Sequence, residues 1–460
     1  MTKKRILLNA VEMASALQDN PGLWAHPANQ SDRYKDLSYW TELAQLLEKA
    51  NFSAIFFADI LGVYDVYKNT RDIAVRDALY FPINDPSYLI PAMAQVTENL
   101  CFVTTNSLTY EHPYALARKM STLDHLTDGR VGWNIVTSNL DSAAKNFGMD
   151  QQIPHSERYD RGDEFLEVCY KLWEDSWEND AVVKDTERGM YTDPSKVHDI
   201  NHKGKYFNVP GVHLCEPSLQ RTPVLFQAGS SERGREFAAT HAEGIFLNPL
   251  SVEETKYIVD DVRLRAKQKG RNPEDLLFFP KLTPIIGRTE EEARKKYHEL
   301  LEYTTTEGIL ALVSAWSGID FSKFGPDELL EFIKKRESGE TYLIDYFRRS
   351  SKEQDWTIKD LANYFAFGGI GSLTIGTPEQ IADKMELLVD EAGVDGFNIS
   401  YILRPDTYHD FVNLVVPILK ERGRLKTDSG NGTFRDKLFK KGSHLNDAHP
   451  GKKKYVYSNE

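Results

Sequence analysis

Apolar positions follow two alternating rhythms along the chain. Short runs such as "RILLNAVE", "SAIFFADI", "LCFVTTNSL", "RVGWNIVTS", "TPVLFQAG", "AEGIFLN", "LLFFPKLTPIIG" and "DGFNIS" are nearly continuous in Val, Ile, Leu and Phe, as expected of strands covered on both faces. Between most of them lie stretches with amphipathic-helix spacing, among them "YWTELAQLLEKANF", "YALARKMSTLDHLT", "YDRGDEFLEVCYKLWED" and "VEETKYIVDDVRLRAKQKG". Strands alternating with helices imply parallel pairing through crossover helices, and eight such units predict an α/β fold, a (β/α)8 TIM barrel. One helix start is written out fully in "GTPEQIADKMELLVDEAG". Thr377 is placed to cap, Pro378 to take the first helical position and Gln380 to complete a capping box.

Two stretches exceed what a barrel needs. Residues 176–220, rich in turn formers, predict a hairpin and loop excursion. Residues 290–370 begin as helix and continue through charged sequence, an insertion expected to form a lid or wall at the C-terminal mouth. With these insertions, residues 1–440 read as a single domain and residues 441–460 as a basic C-terminal tail.

Polar groups inside apolar runs narrow the search for chemistry. In "GRVGWNIVTS", Asn134, Thr137 and Ser138 need partners if buried: either they tie down neighbouring backbone or they face a ligand. A barrel of this kind places its site at the C-terminal strand ends. Asn9, Glu12, Asp59, Thr105, Asn106, Asn134, Ser138, Ser230 and Ser231 stand there. In "QAGSSERGREFAATHA" the strand ends at Ala228 and Gly229, two serines follow, and a helix begins near Glu232. Backbone N–H groups at such a start suit a phosphate, with Arg233 or Arg235 adding charge; plain N-capping by serine is the other reading. In "HSERYDRGDEF", His155 and Tyr159 share one helix face if the helix starts early, while Ser156 is an alternative cap.

Composition removes several classes. A net charge of -13 over 460 residues argues against a general nucleic-acid binder, and the basic stretch near the C-terminus reads as solvated. Cys101, Cys169 and Cys215 are too scattered for a disulfide framework or a CxxC site. His198, His202 and His213 lack ligand-spaced partners in sequence, so no metal is expected. No run approaches the roughly 18 apolar residues of a membrane span. A cytoplasmic protein with no membrane partner is the expectation.

Five longer motifs are specific together: "STLDHLTDGRVGWNIVTS", "ERYDRGDEFLEVCYKLWE", "DPSKVHDINHKGKYFNVPG", "LCEPSLQRTPVLFQAGSSERGREFA" and "DGFNIS". Through them the chain resembles the bacterial-luciferase-like FMN-dependent monooxygenases, from the first strand to about residue 440. The likeness is to the subgroup of nitrilotriacetate monooxygenase component A and dibenzothiophene sulfone monooxygenase, and leans within it to the long-chain alkane and dimethyl sulfide enzymes. The resemblance implies a two-component system. A separate NAD(P)H-dependent flavin reductase supplies FMNH2, and a flavin C4a-hydroperoxide transfers one oxygen atom of O2 to a small apolar substrate, an alkane or an organosulfur compound. It implies a homodimer or homotetramer.

Residue by residue, the same resemblance puts Asp59 under the flavin ring, with Thr105 and Asn134 along its polar edge. It puts Ser138, Tyr159, Ala228, Gly229, Ser230 and Ser231 on the ribityl and phosphate groups, with His155 beside them. Where the alkane enzymes carry cysteine, histidine, glutamine and histidine, this chain has Ser15, Gln18, Tyr80 and Asn139. Ser15, Gln18 and Tyr80 are therefore the expected substrate pocket, and Asn139 joins Tyr64 as a candidate catalytic position. Tyr64 matches the family; its hydroxyl either donates to the cofactor-bound oxygen or belongs to a packed ring. A non-catalytic flavin-binding protein, or an oxidoreductase of the same fold using another flavin-type cofactor, is the alternative.

Overall fold

The computed structural model describes residues 3–229, 231–248, 251–330, 356–367, 372–425 and 430–453. Its strands are β1 (Leu7–Met13), β2 (Ala54–Ala58), β3 (Cys101–Ser107), β4 (Val131–Val136), the hairpin β5 (Val182–Asp185) and β6 (Met190–Thr192), the hairpin β7 (His202–Lys203) and β8 (Asn208–Val209), β9 (Val224–Gln227), β10 (Gly244–Leu247), β11 (Leu277–Ile286), β12 (Ser372–Gly376) and β13 (Gly396–Ser400). Eight of these close a wholly parallel barrel in the order β1-β2-β3-β4-β9-β10-β11-β13, the last pairing with the first. They are the eight apolar runs picked out by sequence pattern. The ninth strand of the sheet, β12, pairs along the C-terminal half of β11, from Leu282 opposite Ser372 to Ile286 opposite Gly376. The sequence reading missed it.

Helices follow the periodicity. Pro378–Ala392 carries both halves of its capping box, Thr377 with Gln380, and ends on Gly393 in the left-handed region. Leu37–Lys49, Pro113–Leu126, His155–Tyr170 and Val252–Gln268 turn their apolar faces to the sheet. Inside the barrel, Ala54, Phe56, Val103, Phe226 and Phe279 fill the N-terminal end. Phe434, from the helix Phe434–Phe439, closes that end, its ring stacked on Phe226 at 5.8 Å.

The basic C-terminal stretch is thus not a solvated tail through residue 453. Phe434, Arg435, Leu445 and His449 are buried, and Arg435 donates to Glu243 at 2.7 and 2.9 Å and to the Thr222 and Pro223 carbonyls. A guanidinium with this many acceptors tolerates burial, which net charge alone does not reveal.

Residues 176–220 form the two hairpins. Within 290–370, the helices Glu290–Leu301, Thr306–Ser317 and Ile358–Tyr364 are described, while 331–355 and 368–371 lie outside the described residues. The helix Thr306–Ser317 is largely buried and packs with Met13, Leu17, Tyr64, Tyr80 and Ile285 in a second core above the barrel.

Candidate functional site

The C-terminal strand ends open on a cavity of about 1020 Å³. Asp59 follows β2; Val136 ends β4 and Thr137 to Leu140 follow it; Gln227 ends β9, and Ala228, Gly229 and Ser231 follow it; His155, Arg158 and Tyr159 come from one helix and Trp316 from the insertion. Of the residues expected from sequence, Asp59, Ser138, Asn139, His155, Tyr159, Ala228, Gly229 and Ser231 line this space. Ser230 lies outside the described residues.

Beneath the cavity, Asn134 Nδ2 donates to Thr105 Oγ1 at 2.8 Å, and Thr105 Oγ1 donates to the Phe57 carbonyl at 2.6 Å. Ser138, at φ +52°, donates to Ser107 Oγ at 2.9 Å. The first reading of "WNIVTS" holds. The side chains tie strand to strand, yet Asn134 Oδ1 is buried with no protein partner, as is Gln227 Oε1. An unmet buried acceptor costs about 1–3 kcal/mol, so both atoms favour a ligand that brings N–H or O–H donors. Asp59 accepts from the Ile60 N–H at 2.8 Å; burial, reinforced by the charge of Asp85, pushes its carboxyl up to about 7.

The other strand ends turn to structure. Asn9 donates to Asn398 at 3.0 Å, Asn106 accepts from Lys119 at 2.9 Å, and Glu12 pairs with Arg404 at 2.6 Å.

Past β9, Ser231 caps the helix Glu232–His241 by accepting from the Gly234 N–H at 3.1 Å. A Cβ on Gly229 would stand 3.1 Å from Gly234 Cα and would have to push aside the Gln227 amide 2.2 Å away, so glycine eases the close approach of the turn to the helix start. The Tyr159 hydroxyl sits here, bonded to the Ser231 and Thr137 side chains, and burial raises its pKa. The helix does start at His155, and the His155 and Tyr159 rings meet edge-on at 5.2 Å. Arg235 reaches the cavity while pairing with Asp261 at 2.6 Å; Arg233 turns away to Asp160 and Asp163. Arg158, buried and lining the cavity, was missed from sequence. Its signal was its place one residue before Tyr159 on a helix that begins early.

The expected substrate residues Ser15, Gln18 and Tyr80 and the candidate Tyr64 are buried and are not among the side chains lining this cavity; Trp316, which does line it, donates from Nε1 to the Tyr64 hydroxyl at 3.3 Å. Ser15 Oγ donates to the Leu17 carbonyl at 2.8 Å, and Gln18 Oε1 has no protein partner. Asn139 is exposed at the cavity rim.

Among the described residues no three His, Cys, Asp or Glu side chains gather to hold a metal, and no helix is long and apolar enough to cross a membrane. His198, His202 and His213 pair separately, with Glu178 at 3.0 Å, Glu164 at 3.3 Å and Ser121 at 2.9 Å.

The sequence model of the luciferase-like monooxygenase family matches residues 18–396. Long-chain alkane monooxygenase of Geobacillus thermodenitrificans (strain NG80-2) is 52% identical over 444 residues, 96% of either chain. Dimethyl-sulfide monooxygenase of Hyphomicrobium sulfonivorans is 48% identical over 437 residues, 95% of this chain and 91% of that protein. A crystal structure of long-chain alkane monooxygenase superposes with a TM-score of 0.90 at 51% identity, covering 98% of this chain and 99% of that one. Riboflavin lyase, solved with modified FMN and riboflavin, gives a TM-score of 0.90 at 36% identity over 98% of this chain and 99% of that one.

Proposed function

The chain belongs to the luciferase-like monooxygenase family, and from that premise we propose that it uses reduced FMN, delivered by a separate NAD(P)H-dependent flavin reductase, to place one atom of dioxygen on a small or chain-like apolar substrate. The observation that carries this reading is the polarity of the cavity. Gln227, with its unmet acceptor Oε1, lines one side of it above the unmet Asn134 Oδ1, and a capped helix start with Arg158 lies on another. That arrangement suits a molecule with N–H groups on a ring system and a dianion on a tether. A volume of about 1020 Å³ is at the upper end for one small ligand and leaves room for a substrate beside the cofactor.

Bound there, the flavin supplies the redox chemistry, activating dioxygen for transfer of one oxygen atom. The chain does the rest. Ser231, the backbone N–H groups of its helix and Arg158 would hold the phosphate, and Tyr159 and Ser138 the ribityl hydroxyls. Asn134 and Gln227 would orient the ring by accepting from it. Asp59, whose carboxyl titrates at about 7, holds a proton available near neutrality. Ile60, Leu61, Leu140, Ala143 and Trp316 give the remaining wall an apolar face that excludes water from the reacting groups. Asn139 has no acidic proton to give and would act at the rim through its amide.

The relatives named for alkanes and dimethyl sulfide support an apolar substrate oxygenated at carbon or sulfur. The test is oxygen consumption with a flavin reductase, NADH, FMN and a panel of thioethers and n-alkanes. Oxygenated product matching oxygen uptake on at least one member is expected. Hydrogen peroxide alone across the panel would sink the reading.

A further inference from the structure

The barrel mouth holds four buried polar side chains that the chemistry above leaves unused: Asp19, Lys281, Tyr80 and Tyr64. Lysine is almost never buried unpaired. Here Lys281 Nζ, from β11, donates to Asp19 Oδ2, and the Tyr80 hydroxyl donates to Asp19 Oδ1. Tyr80 has φ +52°, a conformation that a bulky residue keeps only when its surroundings hold it there. The Tyr64 and Tyr80 rings lie 5.0 Å apart, and Trp316 Nε1 reaches the Tyr64 hydroxyl at 3.3 Å.

An indole N–H and an ammonium only donate, and a carboxylate only accepts. The Tyr80 proton goes to Asp19, and the Tyr64 oxygen receives the Trp316 N–H. Packing of the Tyr64 ring on the Tyr80 ring joins the indole to the Asp19–Lys281 pair. Tyr64 thereby anchors the indole.

We infer that Asp19 and Lys281 are specificity-determining positioning residues: their buried ion pair locks Tyr80 and Tyr64, and through them the Trp316 indole, into a wall that ends the substrate cavity and sets the longest apolar chain admitted. This rests on the monooxygenase reading, because it is that cavity which the indole bounds. Gln18 Oε1 and Thr283 Oγ1, both buried without a protein partner, add further polar atoms in this part of the mouth. An apolar chain is therefore excluded twice, by the wall and by what a breach of it would expose.

The test uses binding as well as turnover. Straight-chain alcohols of increasing length are titrated into protein carrying oxidised FMN, followed by the perturbation of flavin absorbance. Affinity should rise with each carbon and then stop rising at one length, the break. The paired replacement Asp19→Leu with Lys281→Met removes both charges together and leaves neither unpaired. It should move the break by two or more carbons and lower KM for the longest oxidisable substrate about tenfold, while FMN affinity and KM for the shortest change less than twofold. Tyr80→Phe, which keeps the ring and removes only the hydroxyl, should move the break in the same direction, and carries the test alone if the paired variant fails to fold. A break that stays in place with FMN binding intact overturns the inference. Failure of the unmodified protein to bind FMN at all overturns the flavin reading beneath it, and this wall with it.

Discussion

Asp59 and Arg158 face one cavity with opposite electrostatic problems. Burial raises the Asp59 carboxyl from 3.8 to about 7, so the folded protein holds this proton more tightly than the unfolded chain. The resulting stabilisation is complete below about pH 4 and is lost as pH rises through 7. Relative to Asp59→Asn, the wild type should lose on the order of 2 kcal/mol between about pH 4 and 8, a value reduced by the water that reaches this half-buried group. Urea melts across that range check it, and parallel profiles for the two proteins would count against it. Arg158 concerns the phosphate. Arg158→Met should weaken FMN binding by about 1.5–3 kcal/mol, the worth of a charge-assisted hydrogen bond. Riboflavin, which lacks the phosphate, should bind within about twofold of wild type. Equal weakening of both flavins would place the guanidinium away from the phosphate.

Among the elements, the joint between β1 and the segment after β13 centres on a buried guanidinium. Arg404 is fully buried, donates at 2.6 Å to Glu12, to the Ser15 carbonyl and to the Met13 carbonyl, and stacks on Tyr401 at 4.2 Å. Burial pushes Glu12 up to about 7 even against the opposing pull of Arg404. Arg404→Met should therefore destabilise by about 3–5 kcal/mol at pH 8, where Glu12, with no cation left to lower its pKa, must either take up a proton or stay charged and unpaired. The loss should be smaller at pH 5, where the raised pKa returns its proton; denaturant midpoints at the two pH values measure the difference. Strands were the legible part of this architecture, because a parallel strand covered on both faces needs an unbroken apolar run and the eight runs are long enough to stand out. β12 was not, because "SLTIG" is short and sits between a glycine-rich stretch and a helix cap. The cavity's hydroxyls and amides were legible from their places at strand ends. Arg158 was hidden among the charges of a helix whose other face is solvated, and the approach of Trp316 to Tyr64 joins residues distant in sequence through the insertion.

For the whole molecule, the two ends of the barrel are separable. Phe434 seals the N-terminal end, far from the cavity lined by the C-terminal strand ends. Phe434→Ala should lower unfolding free energy by about 3–5 kcal/mol, as for other large-to-small changes in a core. FMN affinity, measured by fluorescence quenching, should stay unchanged; a loss of affinity matching the loss of stability would show the two ends to be coupled. Barrel closure also has a temporal side. The register that joins β1 to β13 connects Asn9 with Asn398 across 389 positions of the chain. A ribosome adding about 5–20 residues per second makes the second of these roughly 20–80 s after the first. Throughout that interval β1 has one edge with no neighbour, and such edges template sticking to other chains. The nascent polypeptide therefore needs shelter on the β1 side for most of its synthesis, and crowding on polysomes rather than fragility of the finished enzyme should limit its yield.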